Sequence, residues 1–188
     1  MSKLVSKITI TSMAIASVIG GTIYLTSAQG KSISNNSAIA NDTNTATLTS
    51  VWDKETEPSY AGTTEMTVYR SPNCGCCGEW IEHAQKHGFK VKDIKTEDMA
   101  ALKQKYKLPT ELASCHTTII DGYVMEGHIP ADDIKRFLSA QPELAGLTVP
   151  GMPIGTPGME ARDIKQPFQI LAFNERGEVE VFKEYQSY

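Results

Sequence analysis

The sequence predicts an α/β domain whose elements run β-α-β-α-β-β-α, followed by a methionine-bearing Pro/Gly loop and a C-terminal β-hairpin. Three observations carry that reading. Short β-type runs alternate with amphipathic helical stretches between residues 65 and 139. Cys74 and Cys77 stand where the first of those helices begins, and Asp121-Gly122 separates two apolar runs as a hairpin turn does.

Each element has a local cause. The first β-type run starts near Glu65, and in the helix after it Cys77, Ile81, Ala84 and Gly88 share one face, with Gly88 as the stop. Trp80 is a packing residue, and a second β-type run follows Gly88. Residues 97–106 form the next helix, opened by Thr96 with two acids in its first turn and closed before Pro109. Residues 117–120 and 123–126 flank the Asp121-Gly122 turn, with Met125 as core filler. Pro130 leads into a helix over residues 131–139 that turns Ile134, Phe137 and Leu138 inward. Pro150-Gly151-Met152 and Pro157-Gly158-Met159 then recur seven apart in a stiff loop, and residues 168–173 and 178–185 read as an added hairpin. The element order resembles the thioredoxin fold. That resemblance implies that Ser114-Cys115-His116-Thr117 returns beside the first helix, where thioredoxin-like enzymes usually place a cis-proline and this chain has Cys115-His116.

The 188 residues suffice for one domain plus appendages. Eighteen Lys and Arg against 22 Asp and Glu, with no long basic run, exclude nucleic acid as an expected partner. Lys3 and Lys7 precede the uncharged residues 8–28, which end in Thr26-Ser27-Ala28, so residues 1–28 read as a signal peptide or an N-terminal membrane anchor. Either form sends the rest of the chain out of the cytoplasm, and membrane contact is expected only through that segment where it is retained. Residues 29–63, rich in Ser, Thr and Asn early on, read as a disordered tether. The domain then covers residues 64–188, with the Met loop at 145–162 and the hairpin at 166–186.

The four cysteines carry the chemistry. Three of them lie within four residues, an arrangement poorly suited to two structural disulfides. A helix N-terminus favours the thiolate, which both ligates soft metals and attacks disulfides. Two readings follow. In the first, Cys74, Cys77 and Cys115 form a thiolate core that Cys76, His116, His128, Met152 and Met159 complete. Thiolate, thioether and imidazole together favour copper as Cu(I) over zinc, which has little use for a thioether. Eight donors exceed the needs of one Cu(I), so more than one ion is expected. In the second reading Cys74 and Cys77 are the attacking and resolving thiols of a thiol-disulfide oxidoreductase. His128 suits a turn as well as a ligand, and His83 and His87 read as surface residues.

Cys74-Gly75-Cys76-Cys77-Gly78, Ser114-Cys115-His116-Thr117, Gly127-His128-Ile129-Pro130 and the VPGMPIGTPGME stretch at 149–160 together resemble the CopG-type periplasmic copper-binding proteins, a family long catalogued as a domain of unknown function. The likeness spans about residues 65–162. It implies a thioredoxin-like domain holding a small copper cluster in an exported protein linked to copper resistance, with cycling between Cu(I) and Cu(II) as an extension. The family's functional residues fall on Cys74, Cys76, Cys77, Cys115, His116, His128, Met152 and Met159. The implied partners are copper ions and the copper-exporting membrane proteins or periplasmic copper chaperones that would exchange them.

Overall fold

The computed structural model describes residues 50–54 and 60–188, all within one compact unit, Ala46–Tyr188. The export or anchor segment read at residues 1–28 lies outside the described residues, as does most of the tether. Among the described residues no helix is long and apolar enough to cross a membrane.

The chain forms β1 (Glu65–Arg70), α1 (Gly75–Lys86), β2 (Lys90–Lys95), α2 (Met99–Lys105), β3 (His116–Ile120), β4 (Tyr123–Glu126), α3 (Ala131–Ala140), β5 (Gly146–Thr148), β6 (Phe168–Phe173) and β7 (Val179–Tyr185). Its strands make one seven-stranded sheet in the order β2-β1-β3-β4-β5-β6-β7. The first four strands and their helices have the thioredoxin-like arrangement: β1 is parallel to β2 and antiparallel to β3, and β3 and β4 form the hairpin. Asp121 and Gly122 both have positive φ, 49° and 83°, which is what the tight turn demands.

Buried side chains of α1 (Trp80, Ile81, Ala84) and α3 (Ile134, Phe137, Leu138) share a hydrophobic core with β1, β4, β5 and β6. Met125 is fully buried there, as its place in an apolar run predicts.

Three sequence expectations need correction. Asp98, not Thr96, caps α2: its carboxylate accepts the Ala101 N–H at 2.9 Å, while the Thr96 hydroxyl accepts the Asp98 N–H. The C-terminal hairpin is no separate addition, because β5 pairs with β4 on one side and β6 on the other and makes the sheet continuous. With only three residues β5 has no readable period. The region assigned to the tether also contains structure. Residues Val51–Asp53 form a 3-10 turn whose Trp52 is buried, stacks edge-on against Phe168 and Tyr185, and donates its indole N–H to the Gly155 carbonyl at 2.8 Å. A Ser/Thr/Asn-rich composition predicts no packing, but one large aromatic side chain is enough to dock its neighbours.

Strand direction positions the functional residues. The C-terminal ends of β1, β4 and β5 and the N-terminal end of β3 meet at one end of the sheet, because β1 runs against β3 while β4 and β5 are parallel. Arg70 pairs with His116 and Glu126 with Thr148. The four cysteines, His128 and both Pro-Gly-Met segments lie on connections that leave or enter those strand ends, and His116 opens β3.

Candidate metal centre

α1 starts at the exit of β1 with Cys74 as its N-cap and no side-chain cap of its own. Arg70 steadies this entry: its guanidinium binds Asp93 at 2.8 and 2.9 Å and donates to the Cys74 carbonyl at 3.2 Å. Cys74 and Cys77 form a disulfide across the first turn, and Cys76 and Cys115 are free thiols. The Cys76 sulfur lies 3.6 Å from that of Cys74. The sulfurs of Cys74, Cys76, Cys77 and Cys115 are all within 4.8 Å of one another.

Cys115 is also part of a second group. Its sulfur is 3.0 Å from His128 Nε2 and 3.4 Å from His116 Nδ1, and one donor atom from each of the three residues lies within 4.8 Å of the others. His128 Nδ1 is 2.8 Å from the Pro157 carbonyl, which can only accept, so Nδ1 carries the proton and the Nε2 lone pair faces Cys115. Both rings are fully buried, and His116 Nε2 has no hydrogen-bond partner among the described residues. An extended segment sends adjacent side chains to opposite faces, yet Cys115 and His116 come together because Cys115 precedes β3 and is not held to its pleat.

The Pro/Gly loop packs against this centre. A Cβ on Gly158 would stand 2.5 Å from the Trp80 nitrogen and 2.9 Å from the Cys76 carbonyl, so Pro157-Gly158-Met159 lies directly on α1. Gly151 forms a parallel bridge with Ser114, whose hydroxyl donates to the Gly151 carbonyl. Met159 is half-buried, and Met152 is 54% exposed. All six predicted cysteine and histidine donors therefore converge, and the backbones of both Pro-Gly-Met segments adjoin them. Two thiols, a reducible disulfide and two imidazoles make a soft to borderline donor set.

Burial, and next to it the neighbouring Cys76, push the Cys115 thiol up to about 12. Burial likewise lowers His116 and His128, so both rings are neutral and available as ligands.

Sequence reading missed the support beneath the turn. Glu126 is fully buried at the end of β4, and its carboxylate accepts the Ser114 N–H and the Thr117 hydroxyl, each at 2.6 Å. Lys103 of α2 forms an ion pair with it and donates to Thr117 at 3.1 Å. One carboxylate thus grips both ends of Ser114-Cys115-His116-Thr117. Its signal in the sequence is faint: an acid ending an apolar β-type run.

His83 and His87 are not surface residues. They are 7% and 5% exposed, with ring centroids 4.5 Å apart. His83 Nε2 accepts the Ala131 N–H at the start of α3, and His87 lies between the Trp52 carbonyl at 2.7 Å and Asp132 at 3.2 Å. The docked 3-10 turn and α3 cover the side of α1 that its sequence alone leaves polar.

Burial is the largest cause lowering His83 to about 3. Between that value and the unfolded value near 6.5, the unfolded chain binds a proton that the native chain refuses, so stability falls as pH falls through 6.5. Urea denaturation of metal-free protein should show a loss of about 1 kcal/mol from His83 alone between pH 7 and pH 5.5. A His83→Gln variant should be correspondingly less sensitive, and equal sensitivity in both proteins would refute this assignment.

These features define a thioredoxin-like α/β protein with a cluster of four cysteines and two buried histidines, able in its chemistry to hold a metal ion, at one end of its sheet. Residues 112–159 match the family model described as "Protein of unknown function, DUF411". Two solved structures of copper resistance protein CopG are similar to this chain. Form 1 is 42% identical, with a TM-score of 0.64, over 67% of this chain and 100% of that one. Form 2 is 43% identical, with a TM-score of 0.63, over 66% and 99%. No curated protein matches. The chain belongs to the CopG-type, DUF411 family.

Proposed function

We propose that this protein binds copper, takes it as Cu(I), and sequesters it outside the cytoplasm as a contribution to copper resistance. The observation that carries this reading is the convergence of four cysteine sulfurs within 4.8 Å, with His116 and His128 adjoining them through Cys115. The relatives named copper resistance protein CopG support the choice of metal. Thiolates and imidazoles from buried positions favour a soft monovalent cation, since each thiolate charge is cancelled by one Cu(I). Met152 and Met159 would add neutral thioether donors at the loop side, and Cu(I)/Cu(II) cycling is an extension of the same binding. Copper-exporting membrane proteins or periplasmic copper chaperones would exchange the ion.

Anaerobic titration of the reduced protein with Cu(I), followed by desalting and metal analysis, should leave at least about one equivalent bound. Substoichiometric copper would defeat the proposal. Replacing Met152 and Met159 together by Leu should weaken Cu(I) retention while leaving zinc affinity nearly unchanged, because zinc makes little use of a thioether. An equal effect on both metals would make the loop structural only.

The Cys74–Cys77 disulfide favours a second reading, dithiol-disulfide exchange. That reading requires metal-free protein to reduce a disulfide substrate and to lose this activity on Cys77→Ser.

A further inference from the structure

The two donor groups of the metal centre overlap at a single residue. One consists of Cys74, Cys76, Cys77 and Cys115, and the other of Cys115, His116 and His128. The Cys74–Cys77 disulfide removes two thiolates from the first group, because a sulfur bonded to sulfur no longer supplies an anionic ligand. It consumes no donor of the second. We propose that the protein has two copper-holding states selected by this pair: with the disulfide closed, Cys115, His116 and His128 hold one Cu(I), and opening it raises the number to two or more. The inference rests on the copper-binding reading above and adds to it a redox control of capacity.

The second group is built for an ion even with the disulfide closed. His128 is held in one tautomer by the Pro157 carbonyl, with Nε2 3.0 Å from the Cys115 sulfur. His116 Nδ1 is 3.4 Å from the same sulfur, and its ring is fully buried with Nε2 unpartnered. One thiolate and two imidazoles are enough donors for one Cu(I). Charge sets the number. Cu(I) with one thiolate and two neutral imidazoles is neutral overall, as a buried pocket requires, and the free Cys76 thiol, whose neighbours Cys74 and Cys77 are tied up in the disulfide, is a single donor and too few to hold a second ion by itself. Each further thiolate from Cys74 or Cys77 supplies the negative charge that an additional Cu(I) needs.

The opening step is ordinary exchange with a dithiol reductant. Cys77 is fully buried and Cys74 is half-buried, so the incoming thiolate attacks the Cys74 sulfur and Cys77 leaves as thiolate. The second thiol of the reductant then attacks the mixed disulfide and frees Cys74. Two electrons and two protons pass to the protein, which ends with two thiols, and the reductant leaves as its disulfide. Copper loading then displaces a proton from each thiol that ligates.

The test compares the full chain in its disulfide form with the same protein reduced by dithiothreitol that is then removed anaerobically. Each is loaded with Cu(I), desalted and analysed for copper and, after denaturation, for free thiols. The expected result is about one copper per chain with the disulfide intact and two or more once it is open. The Cys74→Ser/Cys77→Ser double variant should hold about one copper whether or not dithiol is present, and adding His128→Gln should remove it. Copper on the reduced protein with essentially none on the closed protein or the double variant would overturn this inference alone. Equal counts in both redox forms would do the same. Failure of the reduced wild-type protein to hold copper would overturn the functional reading with it.

Discussion

Cys115→Ser is expected to remove copper binding from the disulfide form and to lower the copper count of the reduced form, where Cys74, Cys76 and Cys77 remain as donors. Cys115 is the one residue common to the thiolate group and the Cys/His group, so its loss leaves the closed form with two imidazoles and no anionic donor at that end. A hydroxyl is a poor ligand for a soft cation, and changes in outer-shell partners alone already cost about 10–100-fold in affinity. The loss here should exceed that, read as competition with a Cu(I) chelator. The fold should be little affected, because serine is nearly isosteric and the residue is only half-buried, and a stability change within about 1 kcal/mol is expected. Cys76→Ser is the contrast, since it leaves the Cys/His group whole. Wild-type retention in Cys115→Ser would show that the two groups do not share a ligand.

The second large effect concerns stability. Glu126→Gln leaves Lys103, whose side chain is 15% exposed, without its carboxylate partner and puts an amide where two hydrogen bonds at 2.6 Å are now accepted. Breaking a buried ion pair from one side costs about 3–5 kcal/mol, and urea denaturation should show a loss of that order. Much of the cost is the stranded cation, so adding Lys103→Met should recover a large part of it. A loss below about 0.5 kcal/mol would show that the pair is solvated like a surface contact. Because the same carboxylate holds the Ser114 N–H and the Thr117 hydroxyl, the double variant should keep its fold while the Cys115 turn loosens.

The legible part of this molecule is the part set by near neighbours. The alternation around Cys77, Ile81 and Ala84, the Asp121-Gly122 turn and the Ile134, Phe137 and Leu138 face each depend on residues a few positions apart, and each forms as expected. Sulfur in Cys74-Gly75-Cys76-Cys77 could be read as chemistry because three thiols in four residues serve no ordinary structural purpose. The sequence misleads where a distant element decides. His83 and His87 read as surface because Trp52 and α3, which cover them, lie 35 or more residues away in the chain from His87 and 48 from His83 at their bonded contacts. β5 was missed because three residues carry no period, and it exists through pairing with β4 and β6.

Local composition was thus sufficient to determine the helices, the hairpin and the kind of ligand atoms this chain carries, since propensity and donor chemistry belong to individual residues. Which of those atoms meet was decided in three dimensions. The antiparallel register of β3 on β1 sets His116 opposite Arg70, and the parallel run of β5 beside β4 delivers the Pro-Gly-Met loop to the same end. A register is a cooperative property of whole strands, so it belongs to no single residue and to no short stretch of the sequence.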